Sequence, residues 1–344
     1  MRRTLVPPLA SPPAPPLWGG AVHTLHGRTM GTTWSVRMVT NASTLARLQQ
    51  AIQAELDLVV AQMSTWDAAS DLSRFNAATA GSWHPLPAEF FQVLQYGLQV
   101  AAASGGAYDP TAGALVNAWG FGPVARYGDS NFVAPDKEQL DAARALCGWQ
   151  KLELDAATRC AHQSGGMYID LSAIAKGYGV DQVARRLLQL GLEDFLVEVG
   201  GELRGEGVKP DGQPWWVALE QPLADAPACG TQHVPWMNET IAALHGWSVA
   251  TSGDYRRYFE TDHTRYSHTI DPRNGWPISN GLASVTVLHR ESMPADAWST
   301  ALGVLGADEG CALANQLGLC ALFLRRDRDG FVETLSEPLK ALLD

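Results

Sequence analysis

Residues 169–201 read IDLSAIAKGYGVDQVARRLLQLGLEDFLVEVGG, and the order of patterns within them decides the fold class. A helix is predicted over about 175–190, closed by Gly191. The DFLVEVGG that follows is a short apolar run between turn residues, the mark of a buried strand. A helix that delivers the chain straight into a buried strand predicts layered α/β packing. Ahead of the helix, Asp170 falls at a strand end, and Ser172, Lys176, Gly177 and Gly179 fall where the helix begins. Such a terminus presents unpaired N–H groups and a partial positive charge that suit phosphate, and Lys176 adds a full charge. The plainer alternative is that the glycines only allow close packing and the lysine is solvated.

Outward from this segment, apolar residues Leu45, Leu48, Ile52, Leu56, Val59 and Met63 form a helical stripe over 44–63, with Ser43 or Thr44 available as a cap. A second helix fits 87–104, with Phe90, Phe91, Leu94, Leu98 and Ala101 inward and Gly105 placed to end it. The second half is richer in strands. PWWVALE, GWSVAT, RRYFE and ASVTVL carry β-branched and aromatic residues between Gly, Pro and Asp, which predicts a sheet with antiparallel parts. Residues 294–305 read as a helix with proline in its first turn, and LCALFLRR returns as a strand. No internal repeat or clean linker is present. Residues 1–22 are expected to be a Pro-rich flexible arm, and 23–344 one large folded domain.

Of 344 residues, 46% are hydrophobic and 18% charged, which suits a compact enzyme and not a disordered chain. A net charge of −11 argues against nucleic acid as a partner. The five cysteines, 147, 160, 229, 311 and 320, form no CxxC pair, and an odd count is a poor disulfide framework. Arg2 and Arg3 could open a secretory leader, but six prolines between Pro7 and Pro16 stand where its apolar region should run. No stretch is long and apolar enough for a transmembrane helix, and no cysteine near the start offers a lipid attachment site. A cytoplasmic location is the expectation.

Two further constellations bear on chemistry. In PADAWSTALGVLG, Asp296 and Thr300 stand four apart on the predicted helix, so a carboxylate and a hydroxyl share one side. Hard oxygen donors of this kind suit Mg2+. The same spacing also fits an Asp that serves the helix dipole and a Thr that bonds the carbonyl one turn back, and spacing alone does not choose. The segment 251–275 gathers Arg256, Arg257, Arg265, Arg273 and His268 in an otherwise acidic chain, positive charge that could receive an anion.

Taken in order, MGTTWSV (30–36), MSTWDAASDLSRFN (63–76), GGAYDPTAGALVNAWGFG (105–122), IDLSAIAKGYGVDQVARRLLQLG, VEVGGELRGEG, ATSGDYRRYF, YSHTIDPRNGWP and PADAWSTALGVLG resemble the ApbE family of FAD:protein FMN transferases over roughly 27–325. The resemblance implies a T-fold-like α/β (α+β) domain of two interlocked lobes with FAD in an interior cleft. It implies Mg2+-dependent transfer of FMN from FAD to a threonine of an acceptor flavoprotein subunit, releasing AMP.

By motif position, Met30, Trp66, Ala107, Tyr108 and Asp109 would line the flavin site. Asp170, Lys176 and Ile270 would hold other parts of FAD. Asp296, Thr300 and the main-chain carbonyl of Ala173 would bind the metal, and His268 would take the threonine proton, with Asp296 or a metal-bound hydroxide as the alternative. Trp66 stands where the family commonly has Tyr, which keeps a stacking face but removes a phenolic oxygen. Ser299 stands where some relatives place a second carboxylate, which lowers the support for a two-metal site. Many relatives are exported or lipid-anchored on the periplasmic side, the alternative to a cytoplasmic location. An FAD pyrophosphatase of the same fold and a flavin-binding protein without turnover are the rival functions.

Overall fold

In Cys320–Asp327, Ala321 and Phe323 face one apolar cluster while Cys320, Leu322 and Leu324 face another. The same division runs along Leu282–His289, where Val285 and Val287 join the first and Leu288 the second. It recurs in Trp247–Gly253, where Ala250 joins the first and Trp247 and Val249 the second. Side chains alternate across a strand, so strands buried on both faces read as near-continuous apolar runs, as LCALFL does.

These strands belong to an eight-stranded sheet seen in the computed structural model, which describes residues 3–9, 20–124, 126–222, 239–254, 258–261, 264–328 and 330–344. Its spatial order is Gly330–Leu335, Cys320–Asp327, Leu282–His289, Trp247–Gly253, Glu202–Glu206, Phe195–Val199, Thr32–Thr40 and Ala21–Thr29. Every neighbouring pair is antiparallel. The layered α/β packing expected from the helix-to-strand step is therefore present, with an antiparallel sheet. One face carries the helices Ala175–Gln189 and Ser292–Leu317, with Leu45–Met63 and Ala88–Ala103 packed on them. The cluster on the other face is shared with a three-stranded sheet of Arg3–Leu5, Thr240–Leu244 and Trp215–Ala218. Among the described residues no helix is long and apolar enough to cross a membrane.

The expected flexible arm over 1–22 needs correction in its described part. Arg3–Leu5 pairs in parallel with Thr240–Leu244, Leu5 is buried, and the Arg3 guanidinium lies 2.7 Å from Glu333 Oε1. These residues precede the first proline, so their N–H groups remain free to pair. Ala21 and Val22 already belong to the Ala21–Thr29 strand. At the other end, the sequence predicts a helix only to 305. The helical path does break at Gly306 (φ 85°, ψ 179°), but a second helical segment continues to Leu317. Asn280 Nδ2 donates to the Gly303 carbonyl at 2.8 Å, taking an acceptor next to the break. RRYFE is a strand over Tyr258–Thr261, while Arg256, Arg257 and Cys229 lie outside the described residues.

The Ala175 and Ser292 helices cross in contact. A Cβ on Gly177 would lie 2.4 Å from the Ser292 carbonyl oxygen and 2.7 Å from the Asp296 Cβ, so only glycine permits this approach. Each helix closes the other's N-terminus. The Asp181 carboxylate accepts from the Ser292 and Met293 N–H groups at 3.0 and 2.8 Å, and Asp296 Oδ2 accepts from the Gly177 N–H at 2.9 Å. Four N–H groups at a helix start have no partner within the helix, and a buried unpaired one is costly. Gly177→Ala is therefore expected to lower stability by about 1–3 kcal/mol through overpacking against backbone. Urea unfolding checks this: the midpoint should fall with an unchanged slope, and a wild-type midpoint would show that the crossing is loose.

Candidate active site

The crossing fixes a small group of charges. Asp296 is buried, and besides the Gly177 N–H it faces Lys176, whose Nζ is 3.4 Å from Oδ1. Lys176 also lies 2.8 Å from Glu202 Oε1. Burial alone would lower the affinity of Lys176 for its proton, but the Asp296 and Glu202 carboxylates outweigh it and hold the ammonium above the usual lysine range. One turn beyond Asp296, the Thr300 hydroxyl lies 3.0 Å from Ser252 Oγ, which is itself 2.7 Å from Ser299 Oγ. Asp170 tightens the turn into the Ala175 helix, its Oδ1 accepting the Ser172 N–H at 2.7 Å, and half-buried Ala173 lies within that turn. Among the described residues no three His, Cys, Asp or Glu side chains converge on one point, so a cation here would rest on one carboxylate with hydroxyl and carbonyl oxygens.

Tyr108 comes from a distant motif, and a Cβ on Gly97 of the Ala88–Ala103 helix would lie 3.6 Å from its hydroxyl. Its phenol is pushed well above the ordinary tyrosine range by burial first, then by the charges of Asp296, Asp170 and Asp109. Its hydroxyl is buried and has no hydrogen-bond partner among the described residues. Its neighbours have other duties. Asp109 Oδ1 accepts from the Thr111 N–H and hydroxyl, and Oδ2 accepts the Trp149 N–H at 3.0 Å, so this carboxylate braces its own loop; burial raises its proton affinity despite those bonds. Ala107 is buried.

Met30 occupies a two-residue turn, Met30–Gly31, between the strands Ala21–Thr29 and Thr32–Thr40, with φ of 48° and 72°. A left-handed methionine is strained. The turn brings its methyl group within 3.1 Å of where a Cβ on Gly179 would stand, which explains a glycine in the first turns of the Ala175 helix. Trp66 is 49% exposed, with the Arg126 guanidinium 5.0 Å above its ring. Arg126 also lines a cavity of about 550 Å3 with Asn117, Asp129, Phe132 and Gln139; none of the carboxylates around Lys176 lines it.

His268 follows the strand Thr264–Ser267 and meets Phe121 edge-on at 6.2 Å, at the border of an aromatic group that includes Phe259, Tyr266 and Trp119. The next residue, Thr269, lines a narrow cleft together with Ser252 and Thr300, so the histidine segment borders the Asp296 helix. Ile270 turns away into a cluster with Leu115, Trp119, Leu140 and Cys147. The expected basic patch is partly neutralised. Arg273 is bound to Asp271 at 2.9 and 2.8 Å, and Arg265 lies 3.7 Å over the Tyr258 ring.

The ApbE family profile matches residues 30–323. The chain belongs to the ApbE family. It is 39% identical over 321 residues to the FAD:protein FMN transferase of Vibrio cholerae, covering 93% of this chain and 92% of that one. With the enzyme of the same name from Haemophilus influenzae it shares 40% identity over 330 residues, covering 94% and 92%. Among solved structures, the flavinyl transferase ApbE of Pseudomonas stutzeri in its apo form superposes with a TM-score of 0.83 at 40% identity, over 94% of this chain and 97% of that one.

For an ApbE protein these residues fit the groups the family implies. Asp296, Thr300 and the Ala173 carbonyl are hard oxygen donors, suited to Mg2+, which takes few protein ligands and shares substrate phosphates. The unpaired Tyr108 hydroxyl and the Lys176 ammonium suit a large polar ligand. Glu202, Ser252 and Arg126 were not singled out from sequence. Glu202 lies in the VEVGGELRGEG motif, but nothing in a linear pattern pairs it with Lys176. Trp66→Ala is expected to weaken FAD binding by roughly 1–3 kcal/mol, the worth of one aromatic stack, with Phe retaining most of it. Titration calorimetry with FAD checks this, and an unchanged affinity would remove Trp66 from the flavin site.

Proposed function

We propose that this ApbE protein transfers the FMN half of FAD to a threonine hydroxyl of an acceptor flavoprotein subunit, with Mg2+, releasing AMP. The observation that supports it most is the Lys176 ammonium 3.4 Å from the buried Asp296 carboxylate at the helix crossing, one turn before the Thr300 hydroxyl on the same helix. Mg2+ held by Asp296, Thr300 and the Ala173 carbonyl would offset negative charge on the pyrophosphate. Lys176 carries a charge toward the phosphates, and the helix start around Ala175 orients them. Met30, Trp66 and Tyr108 hold the flavin end. Positioning and electrostatics of this kind do most of the work in phosphoryl transfer.

In the chemical step the threonine Oγ bonds to the FMN phosphorus while the bond from that phosphorus to the bridging oxygen breaks. AMP departs with the bridging oxygen and its electron pair. The threonine proton passes to His268, whose neighbour in the chain, Thr269, lines the cleft with Thr300. Because a threonine hydroxyl is a weak nucleophile, a positioned base typically contributes about 10²–10⁴-fold.

His268→Gln should lower the rate at saturating FAD by roughly that factor while FAD affinity stays as in the wild type. Steady-state kinetics with calorimetry separate the two quantities. Weakened FAD binding with an unchanged saturated rate would reduce His268 to a ligand contact.

A further inference from the structure

Lys176 stands between two unequal partners. Its Nζ is 2.8 Å from Glu202 and 3.4 Å from Asp296, whose side chains are only 2% and 4% exposed, while its own side chain is 28% exposed. Both oxygens of Asp296 are already engaged, Oδ2 by the Gly177 N–H and Oδ1 by the lysine. A divalent cation and an ammonium at contact distance of one carboxylate oxygen repel each other strongly in a buried site. Cation binding at Asp296 thus requires the lysine to withdraw from Oδ1.

The fold provides where it withdraws to. Glu202 opens the strand Glu202–Glu206 in the middle of the large sheet, directly after Gly200 and Gly201, whose φ values are 59° and 105°. The lysine stem packs beside this turn: a Cβ on Gly200 would lie 3.5 Å from Lys176 Cδ, an ordinary contact, and 2.8 Å from Thr32 Cγ2. Glu202 is held in the sheet, whereas Lys176 reaches it on a stem of rotatable bonds.

We propose that Glu202 is a positioning residue for the metal site: it draws Lys176 off Asp296 when a divalent cation binds and keeps the ammonium beside the phosphates. This rests on Asp296 being the cation's carboxylate ligand. Without the Glu202 charge, the ammonium has Asp296 as its remaining carboxylate at this position, and the cation must compete with a full ion pair.

Mn2+ binding in the absence of FAD and acceptor, followed by the electron paramagnetic resonance signal of the free ion, tests the role. Glu202→Gln should weaken Mn2+ binding about tenfold, equivalent to one ion pair's worth of competition. Lys176→Met should not weaken it, and the Lys176→Met/Glu202→Gln double variant should match Lys176→Met, because the glutamate acts through the lysine. If Glu202→Gln binds Mn2+ like the wild type, or weakens it equally with and without Lys176, the positioning role is overturned. Should Glu202→Gln alone not fold, the double variant removes both members of the Lys176–Glu202 pair together. Its affinity against that of Lys176→Met then decides: equality supports the role and a weaker double variant overturns it. Asp296→Asn separates the two layers. Mn2+ binding that survives it overturns the ligand assignment and the Glu202 role together; binding lost there but unchanged in Glu202→Gln overturns the Glu202 role alone.

Discussion

Two helix starts closed by each other's carboxylates hold the site in place. Asp181, from within the Ala175 helix, takes the first N–H groups of the Ser292 helix, and Asp296, from the Ser292 helix, takes the Gly177 N–H. Arg204, on the neighbouring strand, balances Asp181 at 2.7 Å, and Lys176 balances Asp296. Buried charges are tolerated when paired and hydrogen-bonded, and breaking such a pair is costly. The arrangement therefore fixes the rotation and depth of both helices at once. It sets where Thr300 lies relative to Lys176 and makes the Asp296 position part of the fold and not an appendage to it.

The other motifs come from elements far apart in sequence. The Met30 turn reaches over Gly179, Tyr108 comes from the loop after the Ala88 helix, and His268 comes from the ribbon beside the aromatic group. Trp119 ties that aromatic group to the DPRNG turn by donating to the Gly275 carbonyl at 2.8 Å. A site built by many elements on a rigid antiparallel sheet can hold both ends of a long dinucleotide, a task that no single loop performs.

Much of the scaffold was legible because burial on both faces leaves near-continuous apolar runs and because glycine marks helix ends. The helices over 44–63, 87–104 and 175–190 were placed within two residues for this reason. The Lys137–Leu146 helix was missed although its capping box of Asp136 and Gln139 is written in the sequence, since its apolar stripe holds one buried residue, Leu140. The strand Arg3–Leu5 was missed because its partner is more than 230 residues away, and pairing over that distance leaves no local trace. Asp296 and Thr300 were legible as a donor pair from their spacing. That Asp296 caps a second helix, or that Glu202 shares Lys176, follows only from the crossing at Gly177, which a linear pattern does not contain.

Transfer differs from hydrolysis in where the FMN half ends. The protein incubated with FAD, Mg2+ and a flavoprotein subunit carrying an accessible threonine, followed by intact-mass measurement of that subunit, reads this directly. The account predicts that the subunit gains the mass of one FMN residue, and that it gains nothing when its threonine is replaced by valine. An unchanged subunit mass, with FMN and AMP both free in solution, would contradict it.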